Sequence, residues 1–286
     1  MKNKDFAVFI LTHGRPDNVI TYNTLKRCGY TGDVYIIIDN EDKTSERYYE
    51  NFGDKVVIFD KKEIAKTFDE GDNFDDRRAI VYARNACFDI ARKKGIRYFA
   101  QLDDDYTSFY FTADENYDYS ATRKKVLNLD DMFYVFLDFY KKTNIKSVAF
   151  AQGGDFIGGE NSGVFTKKIA RKCMNSFFCS VDRPFNFLGR INEDVNTYTR
   201  NGSIGHIFFT LAWIRLEQKQ TQSNDGGMTD IYLDGGTYIK SFYTVLFSPS
   251  CCKVSLMGDT NQRLHHRISW NNAVPVIIDE KYRKTK

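Results

Sequence analysis

Short apolar runs alternate with stretches of helical spacing over the first 105 residues, and this alternation restricts the fold more than any other feature. Phe6–Leu11 is an unbroken apolar run closed by a polar-Gly-Pro turn; Val34–Ile38, Val56–Phe59 and Tyr98–Leu102 are of the same kind. Apolar runs without polar alternation suit strands covered on both faces. Pro16 opens a helix at a position where its missing N–H has no partner to lose. Val19, Tyr22, Leu25 and Cys28 then recur at helical steps, and Gly29 fits the stop. Ile80, Ala83, Cys87, Ile90 and Ala91 mark a second helix that Gly95 ends. Strands joined through helices pair in parallel. The expected class is α/β with a Rossmann-like core.

The later chain is less regular. Asp130 and Asp131 begin a helix that Lys141 and Lys142 close, each charge matching its end of the dipole. Ser147–Ala151 reads as a strand leading into a glycine-rich loop, Gly153 to Gly163. Thr166–Cys173 reads as a short basic helix and Glu193–Arg200 as another helix. Four β-rich stretches follow: His206–Ile214, Phe242–Phe247, Lys253–Leu256 and Ala273–Ile278. The expected organisation is one domain with two halves, 1–110 and 111–286, and a mixed sheet.

Composition excludes several classes. Hydrophobic residues are 42% and Pro numbers 4, so a large core is available and a Pro-rich tail is not. The net charge of +3 excludes a bulk polycation, so any nucleic-acid contact needs a local patch. No stretch approaches the ~18 apolar residues of a membrane span, and Phe6–Leu11 is short for a signal peptide and lacks a cleavage site. The six cysteines form no C-x-x-C pair, against structural zinc, and three lie in apolar-periodic segments where they pack as small hydrophobes. A reduced cytoplasmic protein, off the membrane, is expected; the oligomeric state is not legible.

Chemistry concentrates at strand ends. Asp103-Asp104-Asp105 directly follows the run YFAQL. Open parallel sheets bind ligands beyond the carboxyl ends of their strands, and three adjacent carboxylates repel unless a cation sits among them. Mg²⁺ or Mn²⁺ takes one or two carboxylates and completes its shell with phosphates; the plainer reading is a solvated acidic turn. Thr12-His13-Gly14-Arg15 follows the first strand, where glycine allows close backbone approach. Asp39 follows the second strand and suits a ribose hydroxyl or a base N–H. Arg84 and Asn85 sit on the polar face of the helix that feeds the triplet, or simply on a solvated face. Residues Asp69 to Asp76 hold five acids and no base and read as a solvated loop. Glu193-Asp194 reads either as an acid-enriched helix start or as a catalytic pair. His265 and His266 adjoin late in the chain, as structural residues or as ligands for Mn²⁺.

These blocks resemble the GT-A glycosyltransferases, and more narrowly the TET-associated glycosyltransferases of phages and their relatives of the base-J type. The resemblance rests on FAVFILTHGRP, VYIIIDNED, YARNACFDIA, IRYFAQLDDDYTSF, GRINEDVNTYTRNG and the stretch from Gly226 to Lys240. It implies Mn²⁺ or Mg²⁺ as cofactor and a UDP-sugar as donor. Thr12, Gly14, Arg15 and Asp39 would then surround the uridine. Arg84, Asn85 and Asp104 would serve the nucleotide or sugar; Asp103 would face the ribose or sugar and, with Asp105, the metal. His265 or His266 would be a further metal ligand. Asp194 would be the general base of an inverting transfer, with Glu193 orienting the acceptor or the base loop. Gly226, Gly227, Lys240 and Arg190 would line the acceptor side.

The acceptor implied is a hydroxymethylpyrimidine in DNA. Bases at Arg123–Lys125 and between Glu160 and Arg200, interleaved with Phe165, Phe177, Phe178, Phe185 and Phe187, suit phosphates and an unstacked base, or an ordinary helix beside core phenylalanines. A polysaccharide, lipid or protein acceptor, or a non-catalytic nucleotide- or DNA-binding protein, stays open on the residues alone. A nucleotidyltransferase would carry a Gly-rich, Lys-containing loop where THGRP stands.

Overall fold

The computed structural model describes residues 5–166, 172–219, 239–257 and 262–273. The first four strands are β1 (Phe6–Leu11), β2 (Asp33–Asp39), β3 (Val56–Phe59) and β4 (Tyr98–Asp103). They are followed by β5 (Tyr106–Phe111), β6 (Ser147–Gln152), β7 (Ser176–Ser180) and β8 (Phe208–Gln218). These eight form one sheet in the order β3-β2-β1-β4-β7-β6-β8-β5. Pairing is parallel from β3 to β4 and between β6 and β8, and antiparallel at β4–β7, β7–β6 and β8–β5. Two further strands, β9 (Cys252–Met257) and β10 (Arg263–Ile268), form a separate antiparallel hairpin.

The helices are α1 (Ile20–Arg27), α2 (Ser45–Phe52), α3 (Lys61–Ala65), α4 (Val81–Lys93), α5 (Leu129–Lys142), α6 (Gly163–Thr166), α7 (Glu193–Ser203), α8 (239–247) and α9 (Trp270–Ala273). Both faces of the sheet are covered, which is why β1 has no polar alternation. Phe6, Val8 and Ile10 join one core with Leu25, Phe133 and Tyr140, while Ala7, Phe9 and Leu11 join the other with Val81, Cys87 and Phe99. In α5 the residues Leu129, Phe133, Phe136, Leu137 and Tyr140 form one buried stripe.

The α/β class and mixed sheet are as expected, and the named elements differ from the reading in four places. The helix after Pro16 begins only at Ile20. Phe242–Phe247, read as a strand, lies in α8. Thr166–Cys173 is not one helix: α6 covers Gly163–Thr166, and Lys172 and Cys173 are non-helical. Ala273 ends α9 rather than starting a strand, and 274–278 lie outside the described residues. Helix α2 and strands β5, β7 and β10 carry no sequence expectation, because their apolar runs are short or interrupted. All six cysteines are buried free thiols. No described helix is long and apolar enough to cross a membrane.

Candidate active site

Register builds the site. Leu11 pairs with Ile37 on one side and with Asp103 on the other, so the ends of β1, β2 and β4 open side by side. Thr12, Asp39 and the acidic turn therefore meet at one crevice at the carboxyl edge.

The loop after β1 is tied to the triplet and to α2. Thr12 Oγ1 donates to Asp104 Oδ2 at 2.6 Å and lies 2.9 Å from the Tyr48 hydroxyl, which also accepts from the Arg15 N–H at 2.9 Å. The Arg15 guanidinium stands 3.4 Å from Asp104. Gly14 has φ +68°, and its N–H reaches Asp42 at 2.7 Å. Asp39 is buried, with His13 Nδ1 at 2.7 Å and Lys61 Nζ at 3.3 Å. Burial raises its pKa, but the His13 bond and the Lys61 charge prevail and hold it below the ordinary carboxylate range. Tyr48, Asp42 and Lys61 carry no sequence expectation: Tyr48 sits on the unforeseen α2, and single acids or lysines beside a strand end are not distinctive.

Arg84 joins the two acidic motifs. Its guanidinium is 1% exposed side-chain surface, with Nη2 2.9 Å from Asp103 Oδ1 and Nε 2.9 Å from Glu193 Oε1. It lies over the Phe177 ring at 5.0 Å, and Nη1 has no hydrogen-bond partner among the described residues. Burial opposes its charge, but Asp103 and Glu193 outweigh burial and keep it protonated. It is no solvated helix residue and is committed to carboxylates. Asn85 braces the framework: its amide donates to the Phe187 carbonyl at 3.1 Å and accepts the Phe187 N–H at 2.8 Å.

Burial, foremost, and neighbouring carboxylates push Asp103 up to about 7 and Asp105 up to about 6. Asp104 is also raised, burial leading over the opposing Arg15 charge. The Asp105 carbonyl accepts from the Lys219 N–H at 3.2 Å, and the Arg15 and Lys219 charges offset part of the rise at its carboxyl. Closely set acids raised by burial and by neighbouring carboxylates fit a hard divalent cation that takes its remaining ligands from phosphate and water. Among the described residues no three His, Cys, Asp or Glu side chains are grouped to hold an ion. His265 and His266 therefore do not join the triplet in a ready cluster. His266 Nδ1 stands 3.3 Å from Asn192 Nδ2, which can only donate, so that nitrogen is already taken. Burial, with His265 and Lys240, lowers His266 to about 3 and keeps it neutral.

Glu193 and Asp194 form the first turn of α7, both buried. Burial, then Glu193, raises Asp194 to about 6. Arg190 is not presented to a partner molecule. It is buried, 2.9 Å from Asp72 and 3.5 Å from Asp76, with Tyr243 beside it. The Asp69–Asp76 run is thus pinned at Asp72 and not merely solvated. Phe177, Phe178 and Phe187 are fully buried and Phe185 nearly so; they are core and form no stacking platform. Phe165, Lys167, Lys168 and Arg171 have no described side chains, and Gly226 and Gly227 lie outside the described residues. Arg123, Lys124 and Lys125 are exposed. A separate cleft of about 400 Å³, lined by Tyr22, Tyr30, Tyr35 and Lys55, lies at the amino end of β2 and shares none of these residues.

A covered mixed sheet thus carries an acidic turn after its fourth strand, and Arg84 links that turn to a second acidic pair on a later helix. The family profile of TET-Associated Glycosyltransferase matches residues 6–227, and the chain belongs to that family. Among solved structures it is similar to glucosyl-3-phosphoglycerate synthase from Mycobacterium tuberculosis, determined with Mn²⁺, uridine diphosphate and phosphoglyceric acid. Identity is 9% and the TM-score 0.45, over 96% of this chain and 89% of that one. No curated protein matches the sequence.

Proposed function

We propose that this glycosyltransferase moves a hexose or pentose from a UDP-sugar to the hydroxymethyl group of a modified pyrimidine in DNA, with inversion. The observation that carries the reading is the Arg84 bridge, which brings Asp103 of the strand-end turn and Glu193 of the α7 pair onto one guanidinium. Donor-side and acceptor-side carboxylates then face a common space.

Thr12, Arg15 and the loop after β1 bind the nucleotide, and Asp39 accepts from its ribose or base. Asp105 and Asp103 would hold Mn²⁺ or Mg²⁺, which would supply positive charge for the departing diphosphate. Asp194 takes the proton of the acceptor hydroxyl as that oxygen attacks the anomeric carbon. A carboxyl raised to about 6 is ionised at neutral pH and more basic than an exposed aspartate. Glu193, fixed by Arg84, orients the turn that carries Asp194. Attack opposite the leaving group inverts the anomeric centre.

Incubation with UDP-sugars, Mn²⁺ and hydroxymethylcytosine DNA, followed by nucleoside mass analysis, tests the reading. A sugar adduct on the modified nucleoside is expected. Transfer only to free saccharide, lipid or protein would replace the DNA acceptor, and absence of UDP binding with Mn²⁺ by calorimetry would remove the catalytic reading altogether.

A further inference from the structure

Asn192, immediately before Glu193 and Asp194, is in the left-handed region at φ 57° and ψ 38°. Four described non-glycine residues have positive φ, and Asn192 alone among them is fully buried. A left-handed conformation costs an L-residue about 1–2 kcal/mol, least for asparagine, so a buried one needs surroundings that hold it. At a helix start asparagine normally accepts a hydrogen bond from the first turn. Asn192 makes no such bond. Its amide instead faces outward and shares its two N–H groups among the Lys240 carbonyl at 2.7 Å, Thr244 Oγ1 at 3.3 Å and His266 Nδ1 at 3.3 Å.

All three acceptors lie after residue 227, where the family match ends. Two come from α8 and one from β10. The preceding loop is also held from within, by Asn196 donating to the carbonyls of Leu188 and Ile191 at 3.0 and 2.9 Å. The Asn192 amide thus ties the turn that carries the acidic pair to the C-terminal elements, next to the contacts of Arg190 with Tyr243 and Thr199 with Ser248 on either side. The neutral state of His266 suits an acceptor at Nδ1.

We propose that Asn192 is a positioning residue for sugar transfer, its amide anchoring the Glu193-Asp194 turn to α8 and β10 so that Asp194 points at the acceptor. This rests on the reading of Asp194 as the base. Glycine at 192 keeps the left-handed backbone at no steric cost and removes only the anchor. The decisive variant is therefore Asn192→Gly, compared with wild type in steady-state transfer and in amide hydrogen exchange. A kcat lower by about tenfold to a hundredfold at unchanged donor KM is expected, since small misplacement of a reacting group has that effect. Faster exchange at 193–196 with β4 still protected is expected alongside, and protected β4 shows that the variant has folded. The double variant Thr244→Val, His266→Ala leaves the turn untouched, removes two of the three acceptors and should reproduce part of both effects.

Wild-type exchange at 193–196 in Asn192→Gly would overturn the anchor. A raised donor KM at unchanged kcat would overturn the positioning role. If the wild-type protein transferred sugar to no acceptor, the proposed function would fall, and the exchange measurement would still decide the anchor.

Discussion

Arg84 holds two carboxylates that lie far apart in the chain, Glu193 being 109 residues away. The guanidinium, with its planar fork, can meet both at once; a lysine ammonium cannot do so in the same geometry. Removing one partner of a buried ion pair costs about 3–5 kcal/mol because the remaining charge stays buried. Arg84→Met is expected to lose stability on that scale in urea unfolding, and unfolding indistinguishable from wild type would show that the bridge does not persist in solution. Asp194→Asn is expected to lower kcat by about 10²–10⁴, the usual share of a general base, with UDP binding kept. Only the ionised carboxylate can accept the proton, so wild-type kcat/KM should rise with pH through an apparent value near 6. A flat profile between pH 5 and 8 would remove Asp194 from that role. The residue types of this site were legible in the sequence: acids after a strand, acids at a helix start, an arginine on a helix. Their pairing was not, because nothing in the order of residues shows that the face bearing Arg84 and Asn85 turns inward.

At the scale of elements, periodicity located the strands with continuous apolar runs and misjudged the segments where burial follows another rule. FYTVLF in α8 is aromatic and β-branched, which favours a strand, and a short apolar run cannot be assigned by spacing alone. The helical signal lies in the small polar residues Ser241, Thr244 and Ser248, buried on one side. Thr244 meets Asn192, and Ser248 Oγ stands 3.1 Å from Thr199 Oγ1. Strand β7 has the converse lesson. Phe177 and Phe178 look like paired platforms in a basic stretch, yet β7 lies inside the sheet between β4 and β6 and sends one ring into each core. Phe178→Ala is therefore expected to cost about 3–5 kcal/mol, as large-to-small core changes do, with acceptor KM unchanged where the protein remains folded. Chemical denaturation and acceptor titration check it together; a selective rise in acceptor KM at unchanged stability would return Phe178 to the binding surface.

Over the whole molecule the formal charge of +3 conceals a crevice in which Asp103, Asp105 and Asp194 are all raised, first by burial and then by neighbouring carboxylates. The sign of the linkage follows. A carboxyl whose folded pKa exceeds its unfolded value binds its proton more tightly in the fold. Its contribution is full below about pH 4, the unfolded value, and is lost as pH rises through 6 to 7. Without ligand the protein should therefore lose stability across that window. Replacing one such carboxylate, as in Asp194→Asn, should recover roughly 1–3 kcal/mol at pH 7, the opposite of its effect on catalysis. On the proposed function a divalent cation with UDP should reverse the balance, because it would favour the ionised triplet and bind only the folded chain. At about a hundred times its dissociation constant it adds about 2.7 kcal/mol, and its effect should be largest above pH 6. Melting temperatures measured from pH 5 to 8, with and without Mn²⁺ and UDP, give both halves of the test. Parallel curves, with no pH-dependent gain from the ligands, would show that the acidic turn does not hold them.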